Sequence, residues 1–246
     1  MLKINPKLVN KSWKPFVLQK KVKLEIKKIN TKLKNIKYTP SDSKVFRFLN
    51  IDLNKVKYII VGMDPYPGTY INKNGKVKNI ANGRSFEPAN YDSWLDKTKN
   101  SSINNILKAI YINETGIKNI GIESIRKQIK GGSFYILPPH ELFDYLEEQG
   151  ILFINYSLTV TKGYTKNNSG SHIKYWKNFS KMLIEYIDNN FTVEWVLLGE
   201  HAKGLKKYIT NNPTIEDVHP RKIEFYTNNK CLKKIKNIDY TGKGAK

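Results

Sequence analysis

Three residues able to do chemistry, Asp64, Asn155 and His219, each sit at or just beyond the end of a short stretch with strand character: "VKYIIVG", "GILFIN" and "TIEDV". A carboxylate can orient or deprotonate a water, an amide offers one acceptor and two donors, and an imidazole donates a hydrogen bond even when neutral. Asp64 follows in "GMDPYPGTY", where an acid is set among two prolines and two tyrosines directly after the strand pattern. A turn-capping aspartate is the alternative reading. Of the four histidines, His140, His172, His201 and His219, only His219 both follows a strand pattern and precedes a proline. Cys231, the single cysteine, lies in the apolar-periodic "CLKKIKNI" and reads as a buried structural thiol.

These residues need elements to hold them. Val56 to Val61 are β-branched or aromatic over most of their length, which fits a strand covered on both faces, and Gly62 lets the backbone turn away. Similar runs recur at 150–155 and 192–199, each ending in Gly or a polar residue. Between them Trp176, Phe179, Leu183, Tyr186 and Ile187 repeat at helical spacing. A second helix is expected from Ser102 to Tyr111, capped by Ser101 or Ser102. The lysine-rich "LQKKVKLEIKKINTKLKNI" has the spacing of an amphipathic helix with a solvated basic face, and "YTPSDSKVFRFLN" reads as a turn leading into a short helix. Strands alternating with helices predict an α/β layer structure with a mostly parallel sheet. Ligands in such sheets sit beyond the carboxyl ends of the strands, where the three polar residues would converge.

The chain of 246 residues is expected to form one domain over 1–246, because no composition break or Pro/Gly/Ser linker divides it; 242–246 reads as a flexible tail. With 43 Lys+Arg against 21 Asp+Glu, the formal charge is +22. Such an excess favours a polyanion such as nucleic acid. AT-rich codons would raise Lys, Asn and Ile, but also Glu, so they do not account for the imbalance. One thiol allows no internal disulfide, which fits a reducing, cytoplasmic location. No apolar segment reaches the ~18 residues of a membrane span, and no signal-peptide pattern opens the sequence.

The order of motifs resembles that of the uracil-specific uracil-DNA glycosylases. Their water-activating GQDPYH is matched by "GMDPYP", their uracil-stacking GLAFS or GLSFS by "NGRSFE", their LLLNTVLTV by "LFINYSLTV", and their HPSPLS by the first two residues of "HPRKIEF". Supporting similarity in "SWKPFV", "YTPSDSKVFRFLNI", "SSINNILKAI" and "WVLLGEHAKGL" extends it over most of the chain. The DPYP, FEP and "SHIKYW" variants look closer to the poxvirus branch. The resemblance implies a three-layer α/β/α fold with a central, mostly parallel four-stranded sheet. It also implies a monofunctional, metal-free and cofactor-free hydrolase that cleaves the N-glycosidic bond of uracil flipped out of DNA and leaves an abasic site for base excision repair.

By the same resemblance Asp64 would orient the attacking water and favour a cationic sugar, and His219 would donate to the uracil oxygen that gains negative charge. Gly62 and Met63 would belong to the substrate pocket, and Asn155 would read the N3–H and O4 edge. Phe86 would stack on the base, and Tyr66 would stand where the 5-methyl group of thymine would project. Ser101, Ser102, Gly199, Pro220, Arg221, Lys222 and Ile223 would contact DNA. Ungapped counting makes Ile223 the wedge that fills the hole left by the flipped nucleotide; because the loop is shorter than usual, Arg221 or Lys222 is the alternative. Met63 and Pro67 replace the usual Gln and His of the water-activating motif. Segments 68–80 and 113–137 look like insertions, the first bearing lysines that would add DNA contacts. Uracil-containing DNA is the expected partner, with a proteinaceous inhibitor of the family as another, and the chain is expected to be a monomer that does not bind membranes. A eukaryotic or viral source would place it in the nucleus or a viral factory instead of a bacterial cytoplasm. The competing reading is a DNA-binding accessory or scaffold module that keeps the fold with weak or lost catalysis.

Overall fold

The computed structural model describes residues 2–163 and 170–245. Its centre is a four-stranded parallel sheet ordered Ile151–Asn155, Tyr58–Gly62, Glu194–Leu198 and Thr214–Asp217. Alternation along the strands divides the core in two. Ile59, Val61, Leu152, Ile154, Trp195 and Leu197 face a cluster containing Trp13, Phe16, Trp176 and Phe179. Tyr58, Ile151, Phe153, Val196, Leu198 and Ile215 face another that holds Leu107, Tyr111, Phe143 and Cys231. The Lys20–Leu33 and Ile173–Asn190 helices cover the first face, and Ser101–Thr115 and Pro139–Glu148 the second, so the layers are α/β/α. Both faces of every central strand are therefore apolar, which is why the strands read as runs rather than as alternating patterns. No helix among the described residues is long and apolar enough to cross a membrane.

Several local expectations need correcting. The helix expected from Ser102 begins at Ser101 and runs to Thr115, and its cap is Asn100. The Asn100 Oδ1 accepts from the N–H groups of Ser102 at 3.1 Å and Ile103 at 3.4 Å, so neither serine serves as cap. The first inserted segment forms a hairpin, Thr69–Ile71 paired with Val77–Asn79, and the second carries the helix Ile122–Lys130. Residues 242–245 are no loose tail. The Asp239 carboxylate accepts from the N–H groups of Thr241, Gly242 and Gly244, and Lys243–Ala245 form a 3₁₀ turn. Lys246 lies outside the described residues.

Candidate active site

The two strands that carry Asp64 and Asn155 are locked at their carboxyl ends. Gly62 pairs with Asn155 in the ladder, and beyond it the N–H groups of Tyr156 and Ser157 donate to the carbonyls of Gly62 (2.8 Å) and Met63 (2.9 Å). A Cβ on Gly62 would lie 2.5 Å from the Asn155 Oδ1 and 2.8 Å from the Ser85 Cβ. Only glycine leaves the amide room there. On the next two strands Gly199 N–H donates to the Asp217 carbonyl at 3.0 Å, and the chain leaving Asp217 delivers His219. Gly199 has φ +90°, and a Cβ on it would come within 3.0 Å of the His219 Cβ.

The result is one cavity of about 130 Å³ into which Asp64, Asn155, His219, Tyr66 and Phe86 all open, with Gly62, Met63, Pro65, Arg84 and Ser102 completing the wall. At ~30 Å³ per water that is room for about four waters, the scale of a single small ring.

Burial pushes the Asp64 carboxyl up to about 6, and the hydroxyls of Ser157 and Ser171 and the charge of His201 restrain the rise. Ser171 Oγ donates to Oδ2 at 3.4 Å, whereas buried Oδ1 accepts from no protein donor among the described residues. That oxygen is left for a water or substrate hydroxyl. His219 Nδ1 accepts the Arg221 N–H at 3.0 Å, which places the ring proton on Nε2. Burial, and secondarily the Arg221 charge, hold the imidazole below its ordinary value, so it is a neutral donor.

Phe86 is held against the His219 ring, centroids 5.8 Å apart at 62°. Its φ of +64° is a left-handed conformation that costs a non-glycine residue ~1–2 kcal/mol. The Tyr66 O–H donates to the Phe86 carbonyl at 3.2 Å, joining the expected methyl gate to the residue expected to stack on the base. Burial raises the Tyr66 phenol to about 12, so it remains protonated.

Arg84 was missed by sequence reasoning. It is 4% exposed and donates to Glu87 at 2.8 Å and to Asp144 and Glu147. Arg47 meets Glu147 at 2.7 Å, and His140 Nδ1 lies 2.6 Å from Glu87, whose carboxylate raises the histidine. This charged network lies immediately behind the Phe86 segment. The signal was the Arg–x–x–Glu spacing in "RSFE", where the resembled motif has Leu and Ser.

The expected DNA-contacting residues surround the cavity rather than line it, except Ser102. Ser101 is exposed at the helix start. Asn105 Nδ2 donates to the carbonyls of Pro220 (2.8 Å) and Lys222 (3.3 Å), fixing the loop's backbone, while Arg221, Lys222 and Ile223 stay exposed, Ile223 at 62%. Gly199 leads into the short helix Glu200–Lys203, and Glu200 is paired with Lys203 at 3.0 Å. The other histidines are otherwise engaged or placed. His172 bonds Thr159 and Thr161, His140 bonds Glu87, and exposed His201 is no part of the cavity wall.

No protein-family model matches the chain. Whole-chain comparisons do. A uracil-DNA glycosylase of Bacillus cereus is 26% identical over 223 residues, spanning 87% of this chain and 83% of the relative. That of Mycoplasmopsis pulmonis is 28% identical over 217 residues, spanning 85% and 81%. Among solved structures, mimivirus uracil-DNA glycosylase superposes with a TM-score of 0.63 at 26% identity, over 89% of this chain and 72% of that one. The chain is thus similar to uracil-DNA glycosylases over most of its length. The same fold is seen in the UNG of Nitratifractor salsuginis, with a TM-score of 0.72 at 21% identity over 92% and 90% of the chains. In this chain the motif residues Asp64 and His219, separated by more than 150 positions in sequence, share one wall.

Proposed function

We propose that this protein hydrolyses the N-glycosidic bond of uracil in DNA, releasing the base and leaving an abasic site, the opening step of base excision repair. The observation that carries the proposal is the convergence of Asp64, Asn155 and His219 on one ring-sized cavity. A cavity of that size takes a base and not a paired nucleotide, so the base must leave the stack to enter.

Uracil then lies against Phe86 with its N3–H and O4 edge on the Asn155 amide, whose donor and acceptor oppose cytosine's pattern. Tyr66 occupies the space a 5-methyl group would need. As the bond between N1 and the sugar carbon breaks, the electron pair leaves with uracil, and the His219 Nε2–H donates to the oxygen that gains charge. Ionised Asp64 favours the cationic sugar and orients the water, which adds its oxygen to the sugar carbon and passes its proton to the carboxylate. Arg221, Lys222, Ile223 and Ser101 hold the flanking DNA, with Ile223 filling the gap left by the base. The mimivirus relative has been solved in complex with UGI, and the same surface around the cavity mouth is where such a protein would compete with DNA here.

The test is a labelled oligonucleotide with a single uracil, incubated with the protein and then treated with alkali. Strand breaks at the uracil position are expected, and none with Asp64→Asn. Intact strands at stoichiometric protein would end the excision reading.

A further inference from the structure

We propose that the hairpin of residues 69–79 is a DNA arm that lies along the duplex flanking the flipped nucleotide, with lysines on phosphates and Ile71 and Val77 packed against the groove wall. The proposal rests on the excision reading for what occupies the cavity beside it.

The arm is rooted in the cavity wall. Tyr66 opens into the cavity, and two residues on, the Gly68 carbonyl accepts the Ile80 N–H at 3.0 Å and closes the hairpin's base. The preceding Pro67 carbonyl accepts the Gly163 N–H at 2.7 Å. At the far end Asn72 Oδ1 accepts from the N–H groups of Asn74 (3.2 Å) and Lys76 (2.9 Å), and Gly75 takes φ +70°. The ribbon thus has a built turn. With ~3.3 Å per residue, Gly68 to Asn74 reaches about 20 Å, or about six nucleotide steps along a strand at ~3.4 Å each.

Its exposed face is apolar where nothing in the fold requires it. Ile71 and Val77 stand directly opposite each other and are 72% and 63% exposed. Tyr70 and Lys78 form the pair on the other face, and Tyr70 is half-buried. A two-stranded ribbon on its own is marginal in water, so an apolar pair on its outer face is better explained by something that covers it. The occupant is indicated by charge. Segment 68–80 carries Lys73, Lys76 and Lys78 and no acid. Among the described residues the only carboxylate paired with these lysines is Asp92, 3.4 Å from Lys73, and both groups are exposed. Such a pair is worth little and is readily given up to a phosphate. A basic two-stranded ribbon is also of a width that a DNA groove admits.

The experiment compares the parent with Lys73→Ala/Lys76→Ala/Lys78→Ala and with Ile71→Ser/Val77→Ser. Binding is measured on a duplex of about 24 base pairs with one non-cleavable abasic site, across a range of salt. Excision is measured on a uracil trinucleotide, too short to reach the arm. The lysine variant should lower the slope of log Kd against log salt by about 2 to 3, at ~0.9 for each phosphate no longer neutralised. The apolar variant should weaken binding several-fold at unchanged slope. Both should excise uracil from the trinucleotide as the parent does, which also reports that they fold. Duplex binding by both variants indistinguishable from the parent's overturns the arm, and is the result expected if the hairpin docks a protein. A parent that binds DNA through the arm but excises uracil from neither substrate overturns the excision reading alone.

Discussion

Replacing Asp64 by Asn should make the protein more stable at neutral pH while ending its catalysis. The Asp64 carboxyl is pushed by burial from an ordinary 3.8 to about 6. At ~1.4 kcal/mol per pKa unit that gap corresponds to about 3 kcal/mol. The folded state holds the proton more tightly than the unfolded one. The stability this lends is therefore fully present below pH 3.8 and is lost as pH rises through about 6. Above pH 7 the protein keeps an ionised group in a place that disfavours it, with Oδ1 unpaired among the described residues. Asparagine has nearly the same shape and cannot ionise, and the Ser157 and Ser171 hydroxyls can turn to accept from its amide. Asp64→Asn should accordingly gain about 2–3 kcal/mol at pH 8, or about 5–10 °C in Tm for a chain of this size, and nothing at pH 3.5. Urea unfolding of both proteins at pH 8, 5 and 3.5 reads the difference directly. A variant that gains nothing at pH 8, or gains equally at all three, would show that burial does not penalise the Asp64 charge.

Excision should lose its rate in acid with an apparent pKa near 6, as Asp64 takes up a proton. In His219→Gln the plateau should fall while this limb stays in place; a limb that shifts with His219 assigns it to the imidazole instead. Gly62→Ala puts a methyl 2.5 Å from the Asn155 Oδ1, so excision should drop on the order of 10²-fold through displacement of the amide, with a stability loss of about 1–3 kcal/mol. Parental single-turnover rates in that variant would mean that Asn155 need not be held closely. Tyr66→Ala should admit thymine, read on a thymine-containing oligonucleotide; loss of uracil excision with no thymine release would dispose of the methyl gate. Arg84→Leu should cost about 3–5 kcal/mol by leaving Glu87 and Glu147 facing a missing charge. Adding Glu87→Ser should recover much of that in urea unfolding, since Glu147 keeps Arg47.

The sheet was readable because each central strand is apolar on both faces, and Gly62, Asn155 and His219 mark the strand ends where the topology sets ligands. Asn100 was not singled out because "NSS" offers three residues of comparable capping strength, and only the backbone decides among them. Arg84 is a stronger case. Its type is plain in the sequence, but a guanidinium is tolerated inside only with partners, and Asp144 and Glu147 arrive from a helix some 60 residues away. Nothing local announces that meeting. The closure of 242–245 on Asp239 is missed for a different reason, since "GKGAK" has every compositional mark of a free end and the anchoring carboxylate lies just before it. In the hairpin, by contrast, Asn74-Gly75 between two β-favouring runs is a turn signal that reading 68–80 only as an insertion left unused.

Several departures from what folds most cheaply meet at the cavity wall. Asp64 is ionised where burial resists it, Phe86 is held left-handed, and Gly62 and Gly199 surrender side chains so that Asn155 and His219 can close in. A module that only bound DNA could relieve the first of these with a single substitution to Asn, at no loss to its basic surface, and would gain stability by doing so. Keeping the acid is therefore informative in a way that keeping a lysine or a core phenylalanine is not, because the fold is better off without it. The buried charges behind Phe86 fit the same logic. Arg84, Glu87 and Glu147 together brace the segment whose backbone is strained, and the left-handed Phe86 sets its ring against His219 at the edge of the second core cluster. Surrendering stability at Asp64, Phe86, Gly62 and Gly199 is the pattern expected of a site that must hold a charged transition state rather than merely a strand of DNA.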